Sequence, residues 1–194
     1  MTSDCHKSGP EDVLLDAARD CILAVGWRRT TLTDVARRAG VSRMTIYRRW
    51  PDMQTLLSDL MTREWSGVVA AAGLGAAGSA LERLTDGVPA TVRALRTNDL
   101  FRKIVDVDPE LLLPYLLTRR GRSQDAVLGL LEQAISAGQD DGSVRAGDPG
   151  LLARSVILAA HGFVLSGETM ADGRLTVDDL DAELRALTER YLAR

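Results

Sequence analysis

At 194 residues the chain can bury a sizeable core, as one domain or as two small ones. Ala, Leu, Arg and Asp dominate and aromatics make up only 4%, which favours helices over strands and makes an all-α fold the expectation. A net charge of −3, two cysteines without disulfide or metal-ligand spacing, and no uninterrupted apolar run of about 18 residues argue against indiscriminate nucleic-acid binding, a disulfide framework and a membrane span.

Residues 1–10 form a polar tail ending in Gly9 and Pro10, with no apolar core of a signal peptide, so the expected location is the cytoplasm. From Glu11 the apolar positions Val13, Leu14, Ala17, Ala18, Cys21, Ile22 and Val25 keep helical spacing and stop at Gly26, a helix-ending glycine. Thr33 is placed to cap a helix of about two turns that ends at Gly40. Ser42 is placed to cap the next, running from Arg43 to about Arg49. Pro51 ends it, because the residue before a proline avoids the helical region. Asp52 then caps a longer helix through Leu56, Leu57, Leu60 and Met61 to about residue 72, followed by a loop at Gly73, Gly75 and Gly78.

Helical patterns follow over residues 79–96, 99–107, 109–119 and 123–137, then a turn over 138–150. Asp148 and Pro149 open a helix over 151–166 that is apolar on more than one side. Thr176 or Asp178 caps the last, whose Leu180, Leu184, Leu187 and Tyr191 are spaced as a seam.

Charge is unevenly distributed. Between Trp27 and Trp50 seven arginines stand against Asp34 alone, a net +6 that leaves −9 on the rest of the chain. Within this basic stretch Ala36, Gly40, Val41 and Ile46 have helix-turn-helix spacing. A small residue lets two helices approach, glycine takes the turn, and apolar residues lock the second helix, whose N-terminal residues can enter the major groove. Arg43, Met44, Thr45 and Tyr47 are therefore the expected base readers: arginine can grip guanine in a bidentate contact, and a methyl can touch thymine. Arg28, Thr33, Ser42, Arg48 and Arg49, with the Tyr47 hydroxyl, are the expected phosphate contacts.

On these residues, Gly26, Trp27, Thr30, Thr31 and the run DVARRAGVSRMTIYRRWPDMQTLL, the segment 13–60 resembles the DNA-binding domain of the tetracycline-repressor (TetR) family. The chain departs from that pattern at Trp50, where phenylalanine or valine is frequent, and at Met53, near which a phosphate-binding lysine often stands. The resemblance implies an all-α protein: a disordered tail (1–10), a three-helix helix-turn-helix domain (11–52), and a helical ligand-sensing and dimerisation domain (53–194) joined by the helix at about 53–72. It also implies a homodimer on a palindromic operator in double-stranded DNA, most simply a repressor released by an unidentified small-molecule effector.

Candidate pocket walls are Met61, Trp65, Phe101, Ile104, Leu112, Tyr115, Leu116 and His161, with ordinary core packing as the competing reading for each; His161 is the one polar residue in an apolar stretch. The candidate dimer surface comprises Leu152, Val156, Ala159, Phe163, Leu180, Leu184, Leu187 and Tyr191. Other readings are a regulator controlled by a protein partner, an activator, or a small helical enzyme. Neither a G-x-S-x-G elbow nor a phosphate-cradling glycine loop is present, and His6 and His161 are the only imidazoles, so no catalytic site, metal site or cofactor is expected.

Overall fold

The computed structural model describes residues 9–71 and 78–194, the side chains of residues 70 and 71 excepted. Of the expected tail at 1–10, residues 1–8 fall outside these residues, as do the glycines at 73 and 75, whereas Gly9 caps the first helix and Pro10 opens it. Every regular element described is helical: α1 (Pro10–Val25), α2 (Leu32–Arg38), α3 (Arg43–Arg49), α4 (Met53–Ala71), α5 (Ala80–Arg96) and α6 (Asp99–Val107), then a 3-10 turn (Pro109–Leu111), α7 (Leu113–Leu117), α8 (Arg122–Asp140), α9 (Pro149–Met170) and α10 (Val177–Leu192). The single helix expected over 109–119 is split, because Pro114 cannot donate a backbone hydrogen bond to the preceding turn. At the other end of the chain, α9 runs one turn beyond the expected 166.

Two compact units result. The first takes the described residues up to Arg63 together with Asp99–Arg119. The expected boundary after residue 52 is thus replaced by one inside α4, and α6, the 3-10 turn and α7 belong with the helix-turn-helix rather than with the sensing half. Its core is built from Leu14, Leu15, Ala18 and Ile22 of α1, Leu32, Val35 and Ala36 of α2, Ile46 and Trp50 at α3, Leu56, Leu57 and Leu60 of α4, and Leu100 and Ile104 of α6. Burial of these side chains, at about 1.5–3 kcal/mol each for the larger ones, lets helices of seven residues persist that would not form alone.

Gly26 shows why the chain turns where it does. Its φ is +86°, a left-handed conformation, and a Cβ there would stand 3.1 Å from Val107 and 3.2 Å from the Asp108 carboxylate. Asp108 is buried and accepts the Trp27 backbone N–H at 2.8 Å, so the α1–α2 corner is pinned to the end of α6.

The second unit, from Glu64 to Asn98 and from Arg120 to Arg194, packs α5, α8, α9 and α10 around Leu84, Val88, Val92, Leu128, Leu131, Ile135, Leu152, Val156, Leu184 and Leu192. Within it Asp181 of α10 is 2% exposed and receives both terminal nitrogens of Arg96, at 3.1 and 2.8 Å, and Nε of Arg93 at 3.2 Å. At the far end Gly138 lets Val144 pass so closely that a Cβ there would clash with its methyl.

Candidate nucleic-acid interface

The helix-turn-helix is α2, a turn and α3. Thr31, rather than Thr33, caps α2: its hydroxyl accepts the Asp34 N–H at 3.2 Å, and the Asp34 carboxylate accepts the Thr31 N–H at the same distance. The Thr31 hydroxyl's own hydrogen bond holds the Asp34 carboxyl below the usual carboxylate range, so it stays ionised beside Arg37. This leaves the half-buried Thr33 hydroxyl without an intramolecular partner among the described residues, and free for a phosphate oxygen.

Gly40 takes the turn with φ +68°, and the Val41 N–H returns to the Ala36 carbonyl at 3.0 Å. Ser42 caps α3 as expected, accepting the Thr45 N–H at 3.1 Å; the two hydroxyls lie 2.9 Å apart. Ile46 and Trp50 are fully buried and fix one face of α3. Arg43, Met44 at 80% exposure, Tyr47 at 50% and Arg48 are left exposed, with Met44 and Arg48 opposite the buried pair. A methionine so exposed gains nothing from the core, and its position on a capped, anchored helix suits contact with a thymine methyl.

Ion pairing sorts the arginines that the sequence could only count. Arg28 pairs with Glu110 and approaches Asp108 at 3.8 Å, Arg37 pairs with Asp34, Arg38 with Asp20 at 2.9 Å, and Arg49 with Glu11 at 2.7 Å. Arg29 donates to the Val25 carbonyl, which leaves its charge uncompensated. Arg43 and Arg48 have no partner among the described residues. The unneutralised positive charge therefore stands on the exposed side of α3 and at Arg29. Arg28 and Arg49, expected at phosphates, are instead held by carboxylates. Their partners come from distant parts of the chain, α1 for Arg49 and the segment after α6 for Arg28, so no local signal in the sequence could have found them.

The residues proposed as pocket walls do not assemble in one unit. Met61, Phe101, Ile104, Leu112, Tyr115 and Leu116 lie in the first; Trp65 and His161 lie in the second. Ile104 is buried in the core beneath the helix-turn-helix, which is the core reading for it, and Met61 and Leu112 are partly buried and pack against that core. Half-buried His161 is shifted below the usual imidazole pKa by desolvation, which keeps the ring neutral near pH 7. The candidate dimer residues also divide. Leu152, Val156 and Leu184 are buried in the second unit's own core, which corrects their assignment to a partner surface, while Phe163 is partly buried and packs against that core. Leu180 is half-buried, Ala159 and Leu187 are exposed, and the Tyr191 ring lies under the Arg145 guanidinium at 4.7 Å.

Known proteins place this geometry in a family. The family described as "Bacterial regulatory proteins, tetR family" matches residues 14–60, which covers most of α1, all of α2 and α3, and the start of α4. An uncharacterized HTH-type transcriptional regulator of Mycobacterium bovis is 35% identical over 192 residues, 99% of this chain and 98% of its own length. In fold, the chain is similar to the TetR-family transcriptional repressor QsdR of R. erythropolis, with a TM-score of 0.69, 17% identity and coverage of 95% and 96% of the two chains. It is also similar to SmeT in its complex with triclosan, with a TM-score of 0.64, 21% identity and coverage of 95% and 92%. The chain belongs to the tetR family of bacterial regulatory proteins and is a helix-turn-helix DNA-binding transcriptional regulator.

Proposed function

We propose that this regulator acts in the cytoplasm as a homodimeric repressor, reading two half-sites of a palindromic operator through α3 and leaving it when a small molecule binds. Arg43, Met44, Thr45 and Tyr47 read base edges; Thr33, Ser42, Arg48 and the Tyr47 hydroxyl hold phosphates. The observation that carries the dimer is the outer face of α9. Leu151, Leu158 and Leu165 recur every seven residues there, interleaved with Ser155, Gly162 and Thr169, and Leu158 is 71% exposed. Such a repeat is a seam for a second helix, with small residues that let backbones come close; a Cβ on Gly162 would meet nothing within 4 Å.

By length and composition α9 could also cross a membrane. Its inner face, however, fills the second unit's core, and Arg154 on its outer side pairs with Glu132 at 3.0 Å, an arrangement suited to water and a partner helix rather than to lipid. Leu187 of α10 is exposed as well.

Ligand control is supported by the triclosan complex of a protein of the same fold. Release then follows from linkage. A ligand preferred by the state whose α3 helices are badly spaced lowers DNA affinity, and DNA lowers ligand affinity by the same factor. Leu158→Glu places two carboxylates in the seam, and is expected to convert the dimer to a monomer in sedimentation analysis with a parallel loss of operator binding. A dimeric Leu158→Glu protein would mean that this seam does not hold the two copies together.

A further inference from the structure

We propose that Arg49 is a positioning residue, which with Trp50, Glu11 and Asp59 fixes the trajectory of the recognition helix α3, and that it is not a phosphate contact. The Arg49 guanidinium donates to both carboxylate oxygens of Glu11, from Nε at 3.1 Å and from Nη2 at 2.7 Å. It lies 5.3 Å from the centroid of the Trp50 ring, and its Nη2 is 4.0 Å from Asp59. The Trp50 indole in turn is fully buried and donates Nε1–H to Asp59 at 2.7 Å.

Four side chains thus tie together the first turn of α1, the end of α3 and the second turn of α4. The N-terminal end of α3 is already set by the Gly40 turn and the Ser42 cap. A seven-residue helix has too few internal hydrogen bonds to hold its own direction, so the second fixed point determines where Arg43, Met44 and Tyr47 stand relative to the base edges. The tryptophan at position 50 also finds its reason here. A buried indole N–H needs an acceptor, and Asp59 supplies one while extending the network to Arg49.

A guanidinium held in this way is bidentate, stacked and largely neutralised. Lysine cannot reproduce the fork or the stacking, although it keeps the charge. This separates positioning from phosphate binding. The test uses the full-length dimer on two DNAs, an operator obtained by selection and the same length of scrambled sequence, with affinities measured over a range of salt. Arg49→Lys is expected to lower the operator-to-scrambled selectivity about tenfold, the scale of one misplaced base contact, with the salt slope unchanged. Glu11→Gln, which frees the arginine and removes a negative charge, is expected to lower selectivity in the same way. Arg48→Gln, the control, is expected to weaken both DNAs alike and to flatten the slope by about 0.9 for each phosphate that is no longer neutralised. The proposal is overturned if Arg49→Lys binds both DNAs as the parent does, or if Glu11→Gln tightens binding to both. All measurements are made well below the melting temperature, so a loss of stability alone moves neither selectivity nor slope.

Discussion

Replacing Arg43 and Tyr47 together by alanine is expected to abolish operator retardation while leaving the circular dichroism and the mass of the dimer unchanged. Both side chains are exposed, and neither has an intramolecular partner among the described residues. Their removal therefore costs the fold little. Each good base contact discriminates by about 1–3 kcal/mol, and a dimer loses two from each half-site; even the low end of that range amounts to about 4 kcal/mol, or a thousandfold in affinity. Non-specific binding is expected to fall far less, because Arg29 and Arg48 retain their charge. Retardation by the double variant at the parent's concentration would mean that another surface reads the DNA.

Asp181→Ala acts on stability instead. It is expected to lower the unfolding free energy of the second unit by about 3–5 kcal/mol, because it strands the Arg96 guanidinium in a site where its side chain is 8% exposed. Glu168, at 3.8 Å from Arg96 Nε and well exposed itself, cannot replace a bidentate partner. Converting both members, Arg96→Met with Asp181→Leu, is expected to recover most of the loss, since two apolar side chains of similar size need no mutual neutralisation. Urea titration followed by circular dichroism measures both. A loss below about 1 kcal/mol for the single variant would show that water reaches the pair and that it does not pin α5 to α10.

The helix-turn-helix was legible because its determinants are local. A capping hydroxyl, a turn glycine, a proline after Trp50 and apolar residues at helical spacing all act within one or two turns, and the structure moves only the cap of α2, from Thr33 to Thr31. What the sequence could not show depends on distance along the chain. Seven arginines look alike until Glu11, Asp20, Asp108 and Glu110 are brought beside three of them, and the carboxylates that claim Arg28 come from a segment expected in another domain. For α9 the difficulty is different: its apolar residues encircle the helix, so periodicity could not say whether Leu152 and Val156 or Leu151 and Leu158 face inward. Packing decides it. The inward pair fills a core, and the outward pair stays exposed, where the proposed seam lies.

Two copies of α3, held in one dimer, are proposed to read DNA together. Selection of binding sites from random double-stranded DNA by the full-length protein puts this to the most direct trial. The expected result is a palindrome of two half-sites at one fixed spacing, enriched by the parent and not by the Arg43→Ala, Tyr47→Ala variant. A single asymmetric half-site, or no enrichment over the starting pool, would contradict it.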